Sequence, residues 1–222
     1  MIKKRMQITD DGSHTLFSSK VGENYHSSFG AIQESEHIFI GAGLATIIDR
    51  NRNQANILEI GTGTGLNILL AYLWAEKNSI AIKYTGYEPF PISRNEVLLL
   101  NYPEQLAVDK KQFLLIHDSI GNHVSLSDEF SLLINEASIQ SSKLTPDLYD
   151  VVFFDAFSPE SQPEMWITEI FRKIYFSLKK NGVLTTYSCK GIVKRSLMEA
   201  GFVIEKLPGP PGKREFLRAW KR

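Results

Sequence analysis

Two short strings in this 222-residue chain carry residue types that can do chemistry together. The first is Glu59-Ile60-Gly61-Thr62-Gly63-Thr64-Gly65-Leu66-Asn67, where glycines alternate between a short apolar run and a helical pattern. Glycine there allows backbone angles and close approaches that a Cβ would block. The N-terminus of a following helix offers unpaired N–H groups to a carboxylate, a phosphate or a ribose. A dinucleotide loop leaves two residues between its last glycines. The spacing here is G-x-G-x-G, so a pyrophosphate ligand is disfavoured. Glu88 comes twenty-three residues after Gly65, at the end of the next apolar run, where a carboxylate can accept from both hydroxyls of a ribose. The second string, Asp155-Ala156-Phe157-Ser158-Pro159, follows the run Val151-Val152-Phe153-Phe154. A carboxylate beside an aromatic ring can orient an amine, accept its proton or steady a developing cation. The competing structural readings are a surface acid before Pro89 and an acid that caps a turn.

The elements that must position these strings read as an alternation of strands and helices. Strands are expected at 56–60, 80–87, 150–154 and 182–187, with helices at 66–76, 91–101, 163–178 and 190–200 between them. Such alternation makes a parallel sheet with helices on both faces, and ligands bind at the carboxyl ends of its strands. Phe202-Val203-Ile204-Glu205 and the run from Glu215 to Trp220 read as a closing antiparallel pair around Pro208-Gly209-Pro210-Pro211-Gly212. Residues 1–30 read as a β-hairpin or extended arm, and 34–50 as a helix. Region 104–145 stays ambiguous: Phe113-Leu114-Leu115-Ile116 suits a strand or one face of a helix, whereas Phe130, Leu132 and Ile134 alternate as a strand. If the later run is the third strand, its end falls at Ala137-Ser138, and Ser138 would meet the ligand's base. If the earlier run is, Asp118 would. The expected organisation is one domain over 1–222, with an arm and helix at 1–50 and the core at 51–222.

Composition narrows the class. The chain is 43% hydrophobic, ordinary for a globular α/β domain, and no run approaches the ~18 apolar residues of a membrane helix. Met1-Ile2-Lys3-Lys4-Arg5-Met6 is basic and no apolar signal core follows it. Cys189 is the only cysteine, and the five histidines lack metal-ligand spacing, so neither a disulfide nor a metal site is expected. The expectation is a soluble cytoplasmic protein, a monomer or a weak dimer. The net charge of zero hides an asymmetry: residues 172–222 carry thirteen Lys/Arg against three acids, a balance of +10. Such a segment either meets a polyanion such as RNA or merely solvates the surface.

The acid Glu59 before the G-x-G-x-G loop resembles the first motif of class I S-adenosyl-L-methionine-dependent methyltransferases, which have a Rossmann-like fold. Further strings resemble the MnmC-like tRNA methyltransferases: Asp11-Gly12-Ser13-His14-Thr15-Leu16-Phe17, Gly22-Glu23-Asn24-Tyr25-His26-Ser27, Gly30-Ala31-Ile32-Gln33-Glu34-Ser35, Thr186-Tyr187-Ser188-Cys189-Lys190-Gly191 and Leu207-Pro208-Gly209-Pro210-Pro211-Gly212-Lys213-Arg214-Glu215. The resemblance spans essentially the whole chain. It implies S-adenosyl-L-methionine as methyl donor and tRNA as substrate, with methylation of the 5-aminomethyl group of a wobble uridine. In bifunctional members a flavin-dependent oxidoreductase domain prepares the amine. This chain stops at Arg222, so methylation alone is implied, with a separate enzyme supplying the amine. Cofactor contacts would come from Glu59, Gly61, Gly63, Gly65, Glu88, Ser138 and Tyr25, although family members usually carry an acid at the place of Ser138. Asp155 would be catalytic, Phe157 would face the substrate, and Lys190, Arg195, Lys213 and Arg214 would meet phosphates. Two rivals remain: an aminopropyltransferase of the spermidine-synthase type, and a catalytically silent RNA-binding module of the same fold.

Overall fold

The computed structural model describes residues 4–48 and 53–222. Met1 to Lys3, the start of the basic N-terminal run, and the end of the helix expected to reach Arg50 lie outside them. The strands are β1 Lys4–Ile8, β2 His14–Ser18, β3 Glu23–Asn24, β4 Gln54–Ile60, β5 Ala81–Tyr87, β6 His123–Ser125, β7 Phe130–Asn135, β8 Tyr149–Phe154, β9 Leu178–Thr186, β10 Val203–Pro208 and β11 Glu215–Trp220. The helices are α1 Ala31–Ser35, α2 Ala45–Ile47, α3 Leu66–Asn78, α4 Arg94–Leu98, α5 Tyr102–Gln105, α6 Lys110–Asp118, α7 Thr168–Ser177 and α8 Gly191–Glu199.

Among the described residues the main sheet has eight strands in the order β10-β11-β9-β8-β4-β5-β7-β6. Its centre, β9-β8-β4-β5-β7, is parallel, and β11, β10 and β6 pair antiparallel at the two edges. This is the Rossmann-like α/β fold expected, with an antiparallel C-terminal edge and an N-terminal antiparallel arm. The antiparallel edge at β6 and the third arm strand, β3, were not foreseen. The side-chain period of two along a strand sends Ile57, Val151 and Phe153 to one face and Leu58, Val152 and Phe154 to the other. Both faces are covered by helices, which is why β8 is buried from end to end.

Several expected boundaries move for local reasons. The expected helix at 34–50 begins earlier, at α1, and widens into a π-helix over Glu36–Leu44 before α2. Gly43 lets this segment lie on the sheet, since a Cβ there would stand 3.1 Å from the Phe153 ring. The helix expected from residue 91 starts instead after Ser93, where a reciprocal cap with Glu96 fixes α4. The expected helix from 163 is a single tight turn, Pro163–Met165, and α7 starts only at Thr168. Trp166 donates its indole N–H to the Phe157 carbonyl at 2.8 Å, tying that turn to the loop after β8. The ambiguous run at 113–116 is helix α6, started by Asp109, whose side chain accepts from the Lys111 N–H. The third strand of the sheet is therefore the later run, β7.

Candidate active site

The strand order places the site. From β4 the chain proceeds to β5 and β7 on one side, then returns to β8 on the other side of β4. A crevice opens where the order reverses, at the carboxyl ends of β4 and β8. The two loops that leave these ends are in backbone contact: the Asp155 N–H donates to the Ile60 carbonyl at 2.9 Å. Gly61 has φ +86°, and a Cβ on it would lie 2.6 Å from the Asp155 carbonyl oxygen. Both loops wall a cleft of ≈ 870 Å³ that the N-terminal arm partly roofs.

A set of polar residues sits beneath and beside the loop. Asn67, in the first turn of α3, donates both protons of its amide nitrogen, one to Glu59 Oε1 at 2.8 Å and one to Asp155 Oδ2 at 3.0 Å. Tyr84 donates to the other Glu59 oxygen at 2.8 Å. Burial pushes the Glu59 carboxyl up to about 8, although the Asn67 hydrogen bond works the other way. Burial also pushes Asp155 up to about 7, with Glu34 adding to the rise and Asn67 and Lys213 opposing it. Asp155 thus titrates near neutrality, the range in which a carboxyl can both accept and release a proton. Across the loop, Glu88 accepts from the Gly63 N–H at 3.0 Å and the Phe90 N–H at 2.9 Å. Its pKa is nevertheless raised, because burial outweighs those two bonds.

The arm closes the other side. Tyr25 packs edge-on against Phe157, with ring centroids 5.0 Å apart, and its ring covers Gly63. Glu23 latches the arm to the loop after β8: it accepts from the Ser158 N–H at 3.0 Å, from the Ser158 hydroxyl and from the Ser161 hydroxyl at 2.7 Å. Burial opposes ionisation of Glu23, yet these hydrogen bonds hold its carboxyl below the usual range.

Of the residues singled out in the sequence, Tyr25, Gly61, Gly63, Glu88, Ser138, Asp155, Phe157 and Lys213 line this one cleft. Glu59 does not; it is fully buried one layer below and reaches the cleft only through Asn67. Gly65 lies behind the loop, facing His117. Asp118, the alternative to Ser138, ends α6 in an exposed ion pair with Arg94, away from the cleft. Lys213 departs from its expected outward place. Its ammonium pairs with Glu34 and stands 4.2 Å from the centre of the Tyr187 ring. Lys190 pairs with Glu160 at the surface, and Arg195 and Arg214 are exposed. Much of the basic C-terminal quarter is occupied internally, with Lys179 on Asp150, Arg218 on Glu205 and Lys221 on Asp147. Asn67, Glu34, Tyr187 and Glu23 were missed as site residues. All but Asn67 stand in the strings that carried the resemblance, but side-chain direction across the fold is invisible in sequence.

A family model described as S-adenosyl-L-methionine-dependent methyltransferase matches residues 108–222, and the chain belongs to that family. Within it, the chain is 30% identical over 95% of its length to the tRNA 5-methylaminomethyl-2-thiouridine biosynthesis bifunctional protein MnmC of Leptospira interrogans. It covers only 34% of that relative, so it spans about a third of the length of the curated relatives it matches. It also superposes on the crystal structure of MNMC2 from Aquifex aeolicus with a TM-score of 0.80, at 26% identity, over 100% of this chain and 71% of the other. Spermidine synthase from Thermotoga maritima shares the fold alone, with a TM-score of 0.53 and 13% identity over 99% of this chain and 74% of the other.

The residues present fit the methyl donor this family uses. Gly63 leaves beside the loop a space that a Cβ would fill, 2.9 Å from Tyr25 Cδ1. Asn67 Oδ1 is buried at the cleft wall without a hydrogen-bond partner among the described residues, an acceptor suited to a donor's amino group. Among the described residues there is no cluster of His, Cys, Asp or Glu able to hold a metal, and no helix long and apolar enough to cross a membrane.

Proposed function

We propose that this enzyme transfers the methyl group of S-adenosyl-L-methionine to the 5-aminomethyl group of a wobble uridine in tRNA. The observation that carries the reading is Asp155: a carboxyl with a pKa of about 7, at the crevice, next to the loop that would hold the donor. In support, the Leptospira relative is named for making 5-methylaminomethyl-2-thiouridine in tRNA.

The donor supplies an electrophilic methyl carbon on a sulfonium, and the chain's residues do the rest. The Gly61-Thr62-Gly63 backbone and Asn67 would hold its amino-acid end, Glu88 its ribose hydroxyls and Ser138 its base, while Tyr25 would close over it. Glu59 acts from below, by orienting Asn67. Phe157 and Tyr25 wall the acceptor side and exclude water. Asp155 orients the neutral amine and steadies the positive charge that grows on nitrogen as the N–C bond forms and the C–S bond breaks. It then receives the proton that the new secondary ammonium loses. Lys190, Arg195 and Arg214 provide outward charge for tRNA phosphates. The amine must already be in place, so another active site makes the aminomethyl-uridine.

The test is mass spectrometry of nucleosides from tRNA carrying 5-aminomethyl-uridine, after incubation with enzyme and labelled donor. One methyl per wobble uridine is expected, and methyl on another nucleoside or none would overturn the substrate. Asp155→Asn should cut turnover by roughly 100-fold or more while donor affinity changes little, because the contact matters chiefly in the transition state. tRNA affinity should fall steeply with salt, through counterion release. Alanine at Lys190, Arg195 and Arg214 should flatten that dependence.

A further inference from the structure

Lys213 does not behave as a surface lysine waiting for a phosphate. It belongs to the loop between β10 and β11, which is docked on the segment after the arm. Gly212 abuts the Phe29 ring, and His37 Nε2 contacts the Pro208 carbonyl at 2.8 Å. Within the loop, the Lys213 N–H donates to the Pro210 carbonyl at 2.9 Å and the Gly209 N–H to the Arg214 carbonyl at 3.1 Å. The backbone therefore aims the side chain inward. Its side chain is 24% exposed, and its ammonium is paired to Glu34, whose side chain is only 9% exposed. Glu34 is itself oriented by the Ser27 N–H at 2.9 Å. Below the ammonium, Tyr187 donates its hydroxyl to the Ala156 carbonyl at 2.9 Å, one residue from Asp155.

We propose that Lys213, positioned by Glu34, places a fixed positive charge at the acceptor end of the cleft that keeps the bound substrate amine in its neutral, nucleophilic form. The inference rests on the amine-methylation reading above. An alkylamine is protonated at neutral pH and has no lone pair to attack with. A like charge within a few ångströms favours the neutral form and moves such a pKa by about 1–3 units. The cation–π contact with Tyr187 holds the ammonium without consuming its charge.

The other groups at this end are few. Glu34 opposes Lys213 and is the counter-charge that keeps the lysine in place. Asp155 faces it from the loop after β8 and Glu59 stands one layer below. Tyr187 faces it from just after β9, with Glu23 and Glu160 beyond at the rim. His26, with Asp11 nearby, approaches from the arm and is held neutral down to about pH 4 by burial.

The test is a charge ladder built on Asp155→Asn, so that the acid limb reports the amine and not the neighbouring Asp155 carboxyl. It is read by single-turnover methyl transfer to aminomethyl-uridine tRNA, at saturating substrates over about pH 6–10, where that limb belongs to the enzyme–substrate complex. Lys213→Met should move the acid limb up by about 1 unit. Lys213→Arg should leave it in place. Glu34→Gln should move it down, and the Glu34→Gln/Lys213→Met double variant, which leaves no lone buried charge and so guards against misfolding, should fall between the singles. Identical acid limbs in all four variants of an active enzyme would overturn the inference and leave the functional reading intact. A Lys213→Arg limb displaced as far as that of Lys213→Met would also overturn it, by showing that side-chain fit matters and charge does not. A wild-type enzyme that transfers no methyl to this amine would overturn the functional reading and this inference with it.

Discussion

Asn67 holds two carboxyls with one nitrogen, and Asn67→Leu removes both hydrogen bonds while keeping the side chain's bulk. Asn67 Oδ1 has no partner among the described residues, so its loss adds no further cost. Near about pH 5 both carboxyls are protonated, and two neutral hydrogen bonds disappear at about 1 kcal/mol each. That is about 2 kcal/mol, or a melting temperature lower by roughly 4–8 °C in a domain of this size. Near about pH 9 the carboxyls are ionised in the wild type, and the same bonds are charge-assisted, at about 1.5–3 kcal/mol each. The sign follows from linkage. Glu59 and Asp155 have folded pKa values of about 8 and about 7, above their ordinary 4.5 and 3.8. The folded state therefore holds the extra protons, and stability falls as pH rises through that window. Without Asn67 the folded values rise further, so the fall steepens. Urea denaturation of both proteins across this range should show the gap widening by at least about 1 kcal/mol from acid to alkaline pH. A gap that stays constant with pH would refute the idea that Asn67 supports the ionised carboxyls.

Other consequences are as direct. Gly63→Ala adopts a left-handed φ of +48° and sets a Cβ 2.9 Å from the Tyr25 ring. It should weaken S-adenosyl-L-methionine binding in calorimetry, and Tyr25→Ala should restore part of the loss; no relief would mean the ring is not the obstacle. His117 is pushed down to about 4 by burial, below its ordinary 6.5, so the unfolded state takes the proton and stability is lost as pH falls through that window. His117→Gln should flatten this acid-side loss in melting curves, and parallel curves for the two proteins would contradict it. Glu23→Gln weakens the latch between the arm and the loop after β8, at about 1–2 kcal/mol. Limited proteolysis should then cut the arm faster, and an unchanged cutting rate would argue that the latch is dispensable.

Local chemistry made much of this protein readable from its sequence. Alternating glycines between an apolar run and a helical one mark a strand–loop–helix turn, since few other residues tolerate those angles. Buried parallel strands are largely apolar runs, so Ile57-Leu58 in β4 and Val151 to Phe154 in β8 announce their strands, and the acids at or beyond strand ends, Glu88 and Asp155, follow from the same pattern. What was hidden depended on distance in sequence. Whether 113–116 is strand or helix turned on a single Asp109 cap and on tertiary packing of Phe113 and Ile116, which local pattern does not rank. The direction of a long side chain is decided by what surrounds it in space. Lys213 looks outward by composition and points inward because its loop is docked on Phe29 and its charge meets Glu34, from the other end of the chain, and the Tyr187 ring there. Asn67 and Asp155 are far apart in sequence and share a hydrogen bond only because β4 and β8 lie side by side, and adjacency of that kind is a property of the sheet, set by packing and not by either residue.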